Sequence, residues 1–249
     1  MNESTTRPTA LEGPSPQMRP PPDRRFVRAL FDWLEPNDES AVLVYTLGLD
    51  LRWKWELLHR LRPREGERAL DLACGTGLIY RRLVRRVGSG SVVGLDLNRA
   101  MLLHARRSQP DTQVVRADSV RLPFRDASFD LVTAGYLFKY VPLDLLGSEI
   151  KRVLKPGGRF GGYDFSAPLV ERPSGWIYAR YLHRVLPQVG RWRARGVDQW
   201  GGLFGFLSQI AAESGWEIRV EGAFHQAGFR SVGRVASLGG AITWFWAWS

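Results

Sequence analysis

The stretch Ala69–Gly77, which reads Ala-Leu-Asp-Leu-Ala-Cys-Gly-Thr-Gly, limits what this chain can fold into more than any other. The apolar residues around Asp71 predict the end of a buried strand, and Gly75 and Gly77 allow the backbone to turn sharply and to approach a ligand. A helix is predicted next, because four apolar residues share one helical face: Ile79, Leu83, Val84 and Val87. Glycine turns also join strands to helices for structural reasons alone, so the turn leaves both interpretations open.

Two further apolar runs end in acidic residues. The run 91–96 ends in Asp96, close to the spacing at which nucleotide-binding α/β folds place a carboxylate for ribose hydroxyls. The run 112–118 ends in Asp118. Ligands bind at the carboxyl ends of strands in open parallel sheets, so these acids and Asp71 together predict one ligand site. Taken singly, each acid is equally well explained as a loop cap.

Strands and helices alternate through the centre of the chain, which predicts a parallel sheet with right-handed crossovers. The predicted elements are 68–73, 76–87, 91–96, 98–108, 112–117, 129–137, 143–154 and 159–165, with Leu154–Gly158 as a helix end and turn. Beyond these, helices are predicted at 174–186, 200–212 and 216–227, and strands at 229–238 and 241–248. The last strand alternates Trp244, Trp246 and Trp248 with Thr243, Phe245 and Ala247, which favours sheet packing over contact with a membrane interface.

The N-terminal part differs in composition. Residues 1–25 contain six of the fifteen prolines and predict a flexible tail. Helical spacing begins at Phe26, and a second helix is predicted at about 41–61. Trp53 and Trp55 in that helix either pack it onto the sheet or help to form the wall of a substrate channel.

Composition excludes several classes of protein. No apolar run is long enough to cross a bilayer and no signal peptide is visible, so a cytoplasmic protein is expected. The single cysteine, Cys74, rules out an intramolecular disulfide, and the four histidines lack ligand spacing, so no metal site is predicted. The net charge of +10 would attract phosphates of nucleic acid or anionic lipid, or reflects only an arginine-rich composition. No nucleic-acid-binding module is visible, so no nucleic acid partner is expected.

The motifs resemble those of class I S-adenosylmethionine-dependent methyltransferases, and within them most closely the ubiquinone/menaquinone C-methyltransferase family. The resemblance rests on Leu70-Asp-Leu-Ala-Cys-Gly-Thr-Gly77, Gly94-Leu-Asp-Leu-Asn-Arg-Ala-Met101, Ala117-Asp-Ser-Val-Arg-Leu-Pro-Phe124, Phe129-Asp-Leu-Val-Thr133 and Val153-Leu-Lys-Pro-Gly-Gly158. It runs from about Phe26 to the C-terminus and includes Asp164-Phe-Ser-Ala-Pro168 and Gly239-Gly240.

The resemblance implies a Rossmann-like α/β fold with a mostly parallel seven-stranded sheet, helices on both faces and a helical cap. The expected organisation is a tail at 1–25, an N-terminal helical cap at 26–65, a cofactor-binding core at 66–168, a helical lid or substrate region at 169–228 and final strands at 229–249.

The resemblance also implies S-adenosylmethionine as the cofactor. Asp96 would accept hydrogen bonds from the ribose hydroxyls and Asp118 one from the adenine amino group, while Asp71 would orient the glycine turn or contact the cofactor through water. Gly135 would give room for the sulfonium end. The full predicted cofactor set is Asp71, Ala73, Cys74, Gly75, Thr76, Gly77, Asp96, Leu97, Met101, Asp118, Ser119 and Gly135.

The acceptor side departs from the family pattern. Related enzymes carry an Arg-Asn pair after the fourth strand, where this chain has Lys139 and Tyr140, and a Tyr-Asp pair in the cap, where it has Pro36-Asn37-Asp38. Lys139 keeps the positive charge that would stabilise a phenolate, although it lacks the planar fork of arginine, and Tyr140 or Tyr136 is placed to contact the ring.

Three hypotheses for the function follow. The first is C-methylation of a quinol or related prenylated aromatic ring by an enzyme peripherally bound to the anionic inner face of the membrane, with the lid excluding bulk water. The second is methylation of a soluble natural product at O, N or C, which the altered Lys139-Tyr140 pair favours. The third is a protein that binds the nucleotide without transferring a methyl group.

Overall fold

The structure, a computed structural model, describes residues 42–43, 46–166, 171–185, 188 and 215–249. Within these residues the elements are α1 (Leu49–Leu61), β1 (Ala69–Leu72), α2 (Leu78–Val87), β2 (Val92–Asp96), α3 (Arg99–Ser108), β3 (Val114–Arg116), β4 (Phe129–Gly135), α4 (Leu143–Val153), β5 (Leu154–Phe165), α5 (Pro173–Arg180), α6 (Trp216–Gln226), β6 (Ser231–Ser237) and β7 (Ile242–Trp248). Short turns of other helix types lie at Phe138–Tyr140, Tyr181–Val185 and Leu238–Gly240.

All seven strands form one sheet in the order β3-β2-β1-β4-β5-β7-β6. The first five strands in this order pair in parallel. Only β7 runs against its neighbours β5 and β6. The strand order reverses between β1 and β4, and open α/β sheets bind ligands beside such a reversal, at the carboxyl ends of the strands. The predicted mostly parallel seven-stranded sheet is confirmed.

Helices cover both faces of the sheet, as predicted. On one face, residues of α1, α2 and α5 form a core with the sheet, including Trp53, Leu83, Tyr178 and Trp244. On the other face, α4 and α6 pack on the sheet through residues such as Leu146, Ile150, Trp216 and Phe224. Helical spacing explains the sidedness of α2, whose Ile79, Leu83 and Val87 are all buried.

The helix predicted at about 41–61 is interrupted: residues 42–43 are helical, but a turn precedes residue 49. The sequence predicts a continuous helix from about residue 41, but Thr46–Gly48 forms a turn and α1 begins at Leu49. Leu47 and Gly48 adopt positive φ angles of 54° and 76°, which a right-handed helix cannot contain. The prediction missed this because Gly48 is the only local signal for the break.

The segment before the fifth predicted strand also differs. Leu154 already pairs with Phe129, so β5 begins five residues before the predicted start. The register then shifts, and regular pairing resumes at Arg159. Gly157 has a φ of 76° in the irregular part. The predicted turn at Lys-Pro-Gly-Gly is therefore an irregularity inside a longer strand.

Other predicted elements agree with the structure within a few residues, although the helix predicted at 174–186 is an α-helix only to Arg180. The terminal strand packs as predicted, with Trp244 at 3% exposure and Phe245 and Ala247 fully buried. Several predictions lie outside the described residues: the tail at 1–25, the helix from Phe26 and the helix at 200–212.

Candidate active site

The glycine turn joins β1 to α2 at the carboxyl edge of the sheet. Ala73, Gly75 and Gly77 have φ angles of 51°, 53° and 87°, and the Gly77 amide donates to the Cys74 carbonyl at 2.8 Å. A methyl group added at Gly77 would contact Ala105 at 3.6 Å, whereas one added at Gly75 would meet no described atom within 4 Å. The backbone at Gly75 is therefore open to a ligand.

Asp96 lies directly beside this turn. One carboxylate oxygen accepts a hydrogen bond from the Gly75 amide at 2.8 Å, and the other accepts from the Asn98 amide at 2.8 Å. Burial raises the pKa of Asp96, and these two hydrogen bonds partly oppose that shift. Each carboxylate oxygen keeps a second lone pair, so the group can still accept hydrogen bonds from two neighbouring hydroxyls.

Asp118 follows β3, the strand beyond β2. Its carboxylate accepts from the Val120 amide at 3.1 Å, and its carbonyl accepts from the Arg121 amide at 3.0 Å. Ser119 is buried beside it. The structure thus places Asp96 and Asp118 after neighbouring strands at one edge of the sheet, as the parallel topology requires.

Asp71 lies in β1 and is completely buried. One of its oxygens accepts from the Thr133 hydroxyl of β4 at 2.8 Å. The other is buried without a hydrogen-bond partner among the described residues. Burial raises the pKa of Asp71 to about 7, although the Thr133 hydrogen bond opposes the shift. A buried acceptor of this kind is costly unless a donor or a cation meets it.

The other predicted cofactor residues differ in exposure. Cys74 and Thr76 are buried in the turn, and burial raises the pKa of the Cys74 thiol well above its usual value, so the thiol stays protonated. Met101 is buried in α3, where its amide donates to the Asn98 side chain that caps the helix. Leu97 is 42% exposed at the same edge.

Gly135 ends β4. A methyl group added there would lie 3.2 Å from the Ile79 side chain and 3.5 Å from the Tyr163 ring. The space beside Gly135 is thus filled by these two side chains, so close packing accounts for a glycine here.

A buried polar network lies next to the end of β4. Tyr136, at a φ of 57°, donates from its hydroxyl to Asp50 of α1 at 2.7 Å. Asp50 also forms a buried ion pair with Lys54 and accepts from the Tyr163 hydroxyl at 3.3 Å. Burial raises the pKa of Tyr136 well above its usual value, and the neighbouring Tyr163 and Asp50 add to the shift. The phenol therefore remains a hydrogen-bond donor.

Sequence reasoning missed Asp50 and Lys54. Their i, i+4 spacing is a weak signal on its own, because most such pairs are solvated. Both residues are buried on the inner face of α1, together with Trp53, whereas Trp55 is 54% exposed on the outer face. Trp53 packs edge-on against Tyr163 and Phe165, with ring centroids 6.5 and 6.0 Å apart. The predicted packing on the sheet is thus confirmed for Trp53 and wrong for Trp55.

Lys139 forms a second buried ion pair, with Asp164. Its Nζ lies 2.6 Å from an Asp164 oxygen, and the two side chains are 1% and 0% exposed. The second Asp164 oxygen has no hydrogen-bond partner among the described residues. Burial raises the pKa of Asp164, and Lys139 opposes the shift. Lys139 also lies 5.4 Å from the ring of Tyr140, which is itself buried.

The part of the chain that the structure describes offers neither a metal centre nor a membrane-spanning helix. No group of three or more His, Cys, Asp and Glu residues there is arranged to hold a metal ion. None of the described helices is both long and apolar enough to span a membrane.

Comparison with known proteins identifies the family to which this chain belongs. The sequence profile of the ubiE/COQ5 methyltransferase family matches residues 22–249. A demethylmenaquinone methyltransferase from Beutenbergia cavernae is 33% identical over 221 residues, covering 88% of this chain and 89% of that relative. One from Lactobacillus johnsonii is 31% identical over 214 residues, covering 83% of this chain and 85% of that relative.

Solved structures share the fold. An S-adenosylmethionine-dependent methyltransferase from Aquifex aeolicus superposes with a TM-score of 0.53 at 21% identity, covering 78% of this chain and 88% of that one. The geranyl diphosphate C-methyltransferase of Streptomyces coelicolor A3(2), solved with Mg²⁺, geranyl diphosphate and S-adenosylhomocysteine, superposes with a TM-score of 0.55 at 15% identity, covering 79% and 77%. The predicted family, enzyme class and cofactor are confirmed: this chain belongs to the ubiE/COQ5 methyltransferase family and is an S-adenosylmethionine-dependent methyltransferase.

Proposed function

We propose that this enzyme methylates a ring carbon of a demethylated quinol, or of a related prenylated aromatic compound. The observation that carries the proposal is the match to the ubiE/COQ5 family over residues 22–249, together with relatives named demethylmenaquinone methyltransferase. The sheet edge described above supports it, because it offers acceptors for an adenosyl cofactor beside a buried aromatic and polar cluster.

The described residues fit the cofactor. We assign Asp96 to the ribose hydroxyls and Asp118, with Ser119, to the adenine. Asp71 has a buried oxygen without a hydrogen-bond partner in the described part of the chain, which suits a cationic or N–H group of the methionine portion. The remaining proposed contacts come from the turn and the start of α3: Ala73, Cys74, Gly75, Thr76, Gly77, Leu97 and Met101. Gly135 is left out, because Ile79 and Tyr163 fill the space beside it.

When bound, S-adenosylmethionine supplies an electrophilic methyl group on a sulfonium. In-line displacement needs the acceptor carbon close to that group and aligned with it, so the protein must chiefly position both partners and exclude water. A ring carbon becomes nucleophilic when a neighbouring hydroxyl loses its proton, which a hydrogen-bond donor or a nearby cation favours.

Tyr136 and Tyr140 are the proposed contacts of the acceptor ring. Tyr136 keeps its proton and is held by Asp50. We assign Lys139 a positioning role, since its ammonium group is already neutralised by Asp164. Its ion pair joins the turn that carries Tyr140 to the end of β5.

The proposal is tested with a short-tailed demethylated quinol, S-adenosylmethionine and mass spectrometry of the product. We expect C-methylation of the reduced quinol and none of the oxidised quinone, which lacks the ring hydroxyl. Lys139→Ala should lower turnover, and Lys139→Arg should restore part of it. Product formation on a soluble phenol but not on any quinol would overturn the proposal.

A second acceptor class has one observation in its favour. Lys139 and Tyr140 replace the Arg-Asn pair of related enzymes, and this change would suit a soluble natural product methylated at O, N or C. The third hypothesis, binding without transfer, is not supported, because this chain belongs to a methyltransferase family. The same set of acceptors therefore separates the two remaining acceptor classes.

We further propose that the enzyme acts at the cytoplasmic face of the membrane. A prenylated quinol dissolves in the bilayer, and a chain with a net charge of +10 is attracted to anionic lipid. Raising the salt concentration should then release the protein from anionic vesicles.

A further inference from the structure

The outer face of α1 and the turn before it carries apolar side chains where a surface helix usually carries polar ones. Leu47, Leu51 and Trp55 follow at intervals of four residues and are 60%, 43% and 54% exposed. The inner face of the same helix holds the buried pair of Asp50 and Lys54. The core of this fold therefore does not explain the apolar stripe, and exposed apolar patches of this kind mark interaction sites.

Basic residues lie beside the Trp55 end of the stripe. A groove of about 940 Å³ lies along α1 and reaches the end of β7; its lining includes Arg52, Trp55, Arg60, Arg62, Arg64 and Trp248. Two arginines of this groove are already neutralised, since Arg60 pairs with Glu56 and Arg159 with Glu67. The other three, Arg52, Arg62 and Arg64, form no ion pair with the described residues.

Tryptophan reinforces the apolar side of the groove. Trp248 at the end of β7 is 38% exposed, and Trp55 stacks on His59 with ring centroids 4.9 Å apart. An anionic bilayer presents an interfacial layer and, outside it, charged phosphates. Exposed tryptophan and leucine suit the first, and arginine suits the second. Aromatic rings favour the interfacial layer, and arginine can bury its stem while its charge reaches the phosphates.

We propose that Leu47, Leu51, Trp55 and Trp248, with Arg52, Arg62 and Arg64, form a docking surface for an anionic lipid bilayer. We call these residues the α1 surface. The docking proposal rests on the proposed function and assigns the membrane contact to this surface. Arg52, Arg62 and Arg64, which have no ion-pair partner among the described residues, favour a bilayer as the occupant. A purely apolar partner, such as the face of a second helix, would not require them.

The position of α1 links docking to the active site. Its inner face contacts the end of β4 through the Asp50–Tyr136 hydrogen bond and packs on Phe165 through Trp53. One helix thus has its outer face on the bilayer and its inner face on the site. A prenylated acceptor could then reach the carboxyl edge of the sheet while its tail stays in the membrane.

The first test is flotation of the full chain with vesicles of phosphatidylcholine alone or mixed with phosphatidylglycerol. We expect flotation only with the anionic vesicles, and loss of it at high salt. Leu51→Ser with Trp55→Ser should reduce binding at least tenfold, and Arg52→Gln with Arg62→Gln should reduce it by roughly fivefold per residue. The matched control is Leu145→Ser with Ile218→Ser, at positions 49% and 66% exposed on the helices of the opposite face.

Equal flotation of the parent and the Leu51/Trp55 variant would overturn the proposal. So would a loss of flotation in the Leu145/Ile218 control as large as that in the Leu51/Trp55 variant. Displacement by inorganic phosphate at constant ionic strength would instead reveal an anion site in the groove. A dimer that the Leu51/Trp55 variant dissociates, without vesicle binding by the parent, would show that a second copy covers the α1 surface. Either result would overturn the docking proposal.

The second test separates docking from catalysis. The Leu51/Trp55 variant should methylate a short-tailed, water-soluble quinol at the parental rate but lose activity on a long-tailed quinol embedded in anionic vesicles. Equal activity of variant and parent on the embedded acceptor would overturn the docking proposal. Absence of methylation of any quinol by the parent, with flotation still dependent on Leu51 and Trp55, would overturn the proposed function and leave docking intact.

Discussion

At the residue scale, Asp96 holds together two loops that we assign to the cofactor site. It binds the amide of Gly75 in the glycine turn and that of Asn98 at the start of α3. A carboxylate is suited to this place because it accepts several hydrogen bonds at once and donates none. The same property fits it to a pair of ribose hydroxyls.

We therefore expect Asp96→Ala to weaken S-adenosylmethionine binding by roughly 1–3 kcal/mol, the range for hydrogen bonds to a charged group and for amides left unpaired. Titration calorimetry measures the change. Asp111→Ala, at an exposed position just after α3, is the matched control and should bind normally. Unchanged affinity in Asp96→Ala would contradict the ribose assignment.

Asp71 makes stability depend on pH. Its pKa rises from 3.8 to about 7 in the folded protein. Between these values the folded state binds a proton that the unfolded state does not bind, so the contribution of Asp71 to stability is lost as the pH rises through about 7. Asp71→Asn removes the titrating group, while its amide oxygen can still accept from Thr133.

We expect the free energy of unfolding to fall less in Asp71→Asn than in the parent between about pH 5 and about pH 8, by roughly 1–4 kcal/mol. Urea unfolding at a series of pH values gives both curves. Burial also raises the pKa values of Asp96 and Asp164, so only the difference between variant and parent reports on Asp71. Parallel curves would show that Asp71 is ionised in the folded state at all these pH values.

At the scale of elements, α1 packs on β5 at Gly161, where the strand has no side chain. A methyl group added at Gly161 would lie 2.7 to 2.9 Å from three atoms of Leu61. Glycine therefore sets how closely the last turn of α1 approaches the sheet. The other end of α1 is held by the Asp50–Tyr136 hydrogen bond, so both ends of the helix are fixed to the sheet.

Gly161→Ala should destabilise the protein by roughly 1–3 kcal/mol, the usual cost of overpacking a core. Gly222→Ala in α6 is the matched control. No described atom lies within 4 Å of the added methyl group there, so we expect a gain of roughly 0.5–1 kcal/mol from helix propensity. Equilibrium unfolding in urea measures both; equal stability of Gly161→Ala and the parent would mean that α1 can move away from the strand at no cost.

At the scale of the whole molecule, the cofactor should stabilise the fold, because its proposed site joins residues at the carboxyl ends of three strands. A ligand at one hundred times its Kd, bound only by the folded state, adds about 2.7 kcal/mol. For a chain of this length we expect Tm to rise by roughly 5–10 °C. Thermal unfolding followed by circular dichroism tests this, with adenosine triphosphate as the control ligand. The Asp96→Ala variant should show a smaller rise at the same concentration, and an equal rise would argue against its role.

Much of the fold follows from local sequence, and so does the placement of the acids at the carboxyl edge of the sheet. Each apolar run lies within a few residues of the glycine turn or the acid that follows it, so the local pattern predicted the parallel sheet. The parallel sheet then places Asp96 beside the glycine turn. The start of α1 and the start of β5 were harder to place. Gly48 and the segment Lys155–Gly158 contain residues that often end a helix or a strand. Whether they do so depends on how the neighbouring elements pack and pair.

The sequence by itself determined the order of strands and helices, the carboxylates at the sheet edge and the family to which the chain belongs. Only the tertiary structure decided that Lys139 is neutralised by Asp164, that Asp50 holds Tyr136, and that Trp53 faces the core while Trp55 faces outward. The physical reason is distance along the chain. Hydrophobic periodicity and turn chemistry act between near neighbours, whereas an ion pair or the buried side of a helix is chosen by packing against residues far away in sequence.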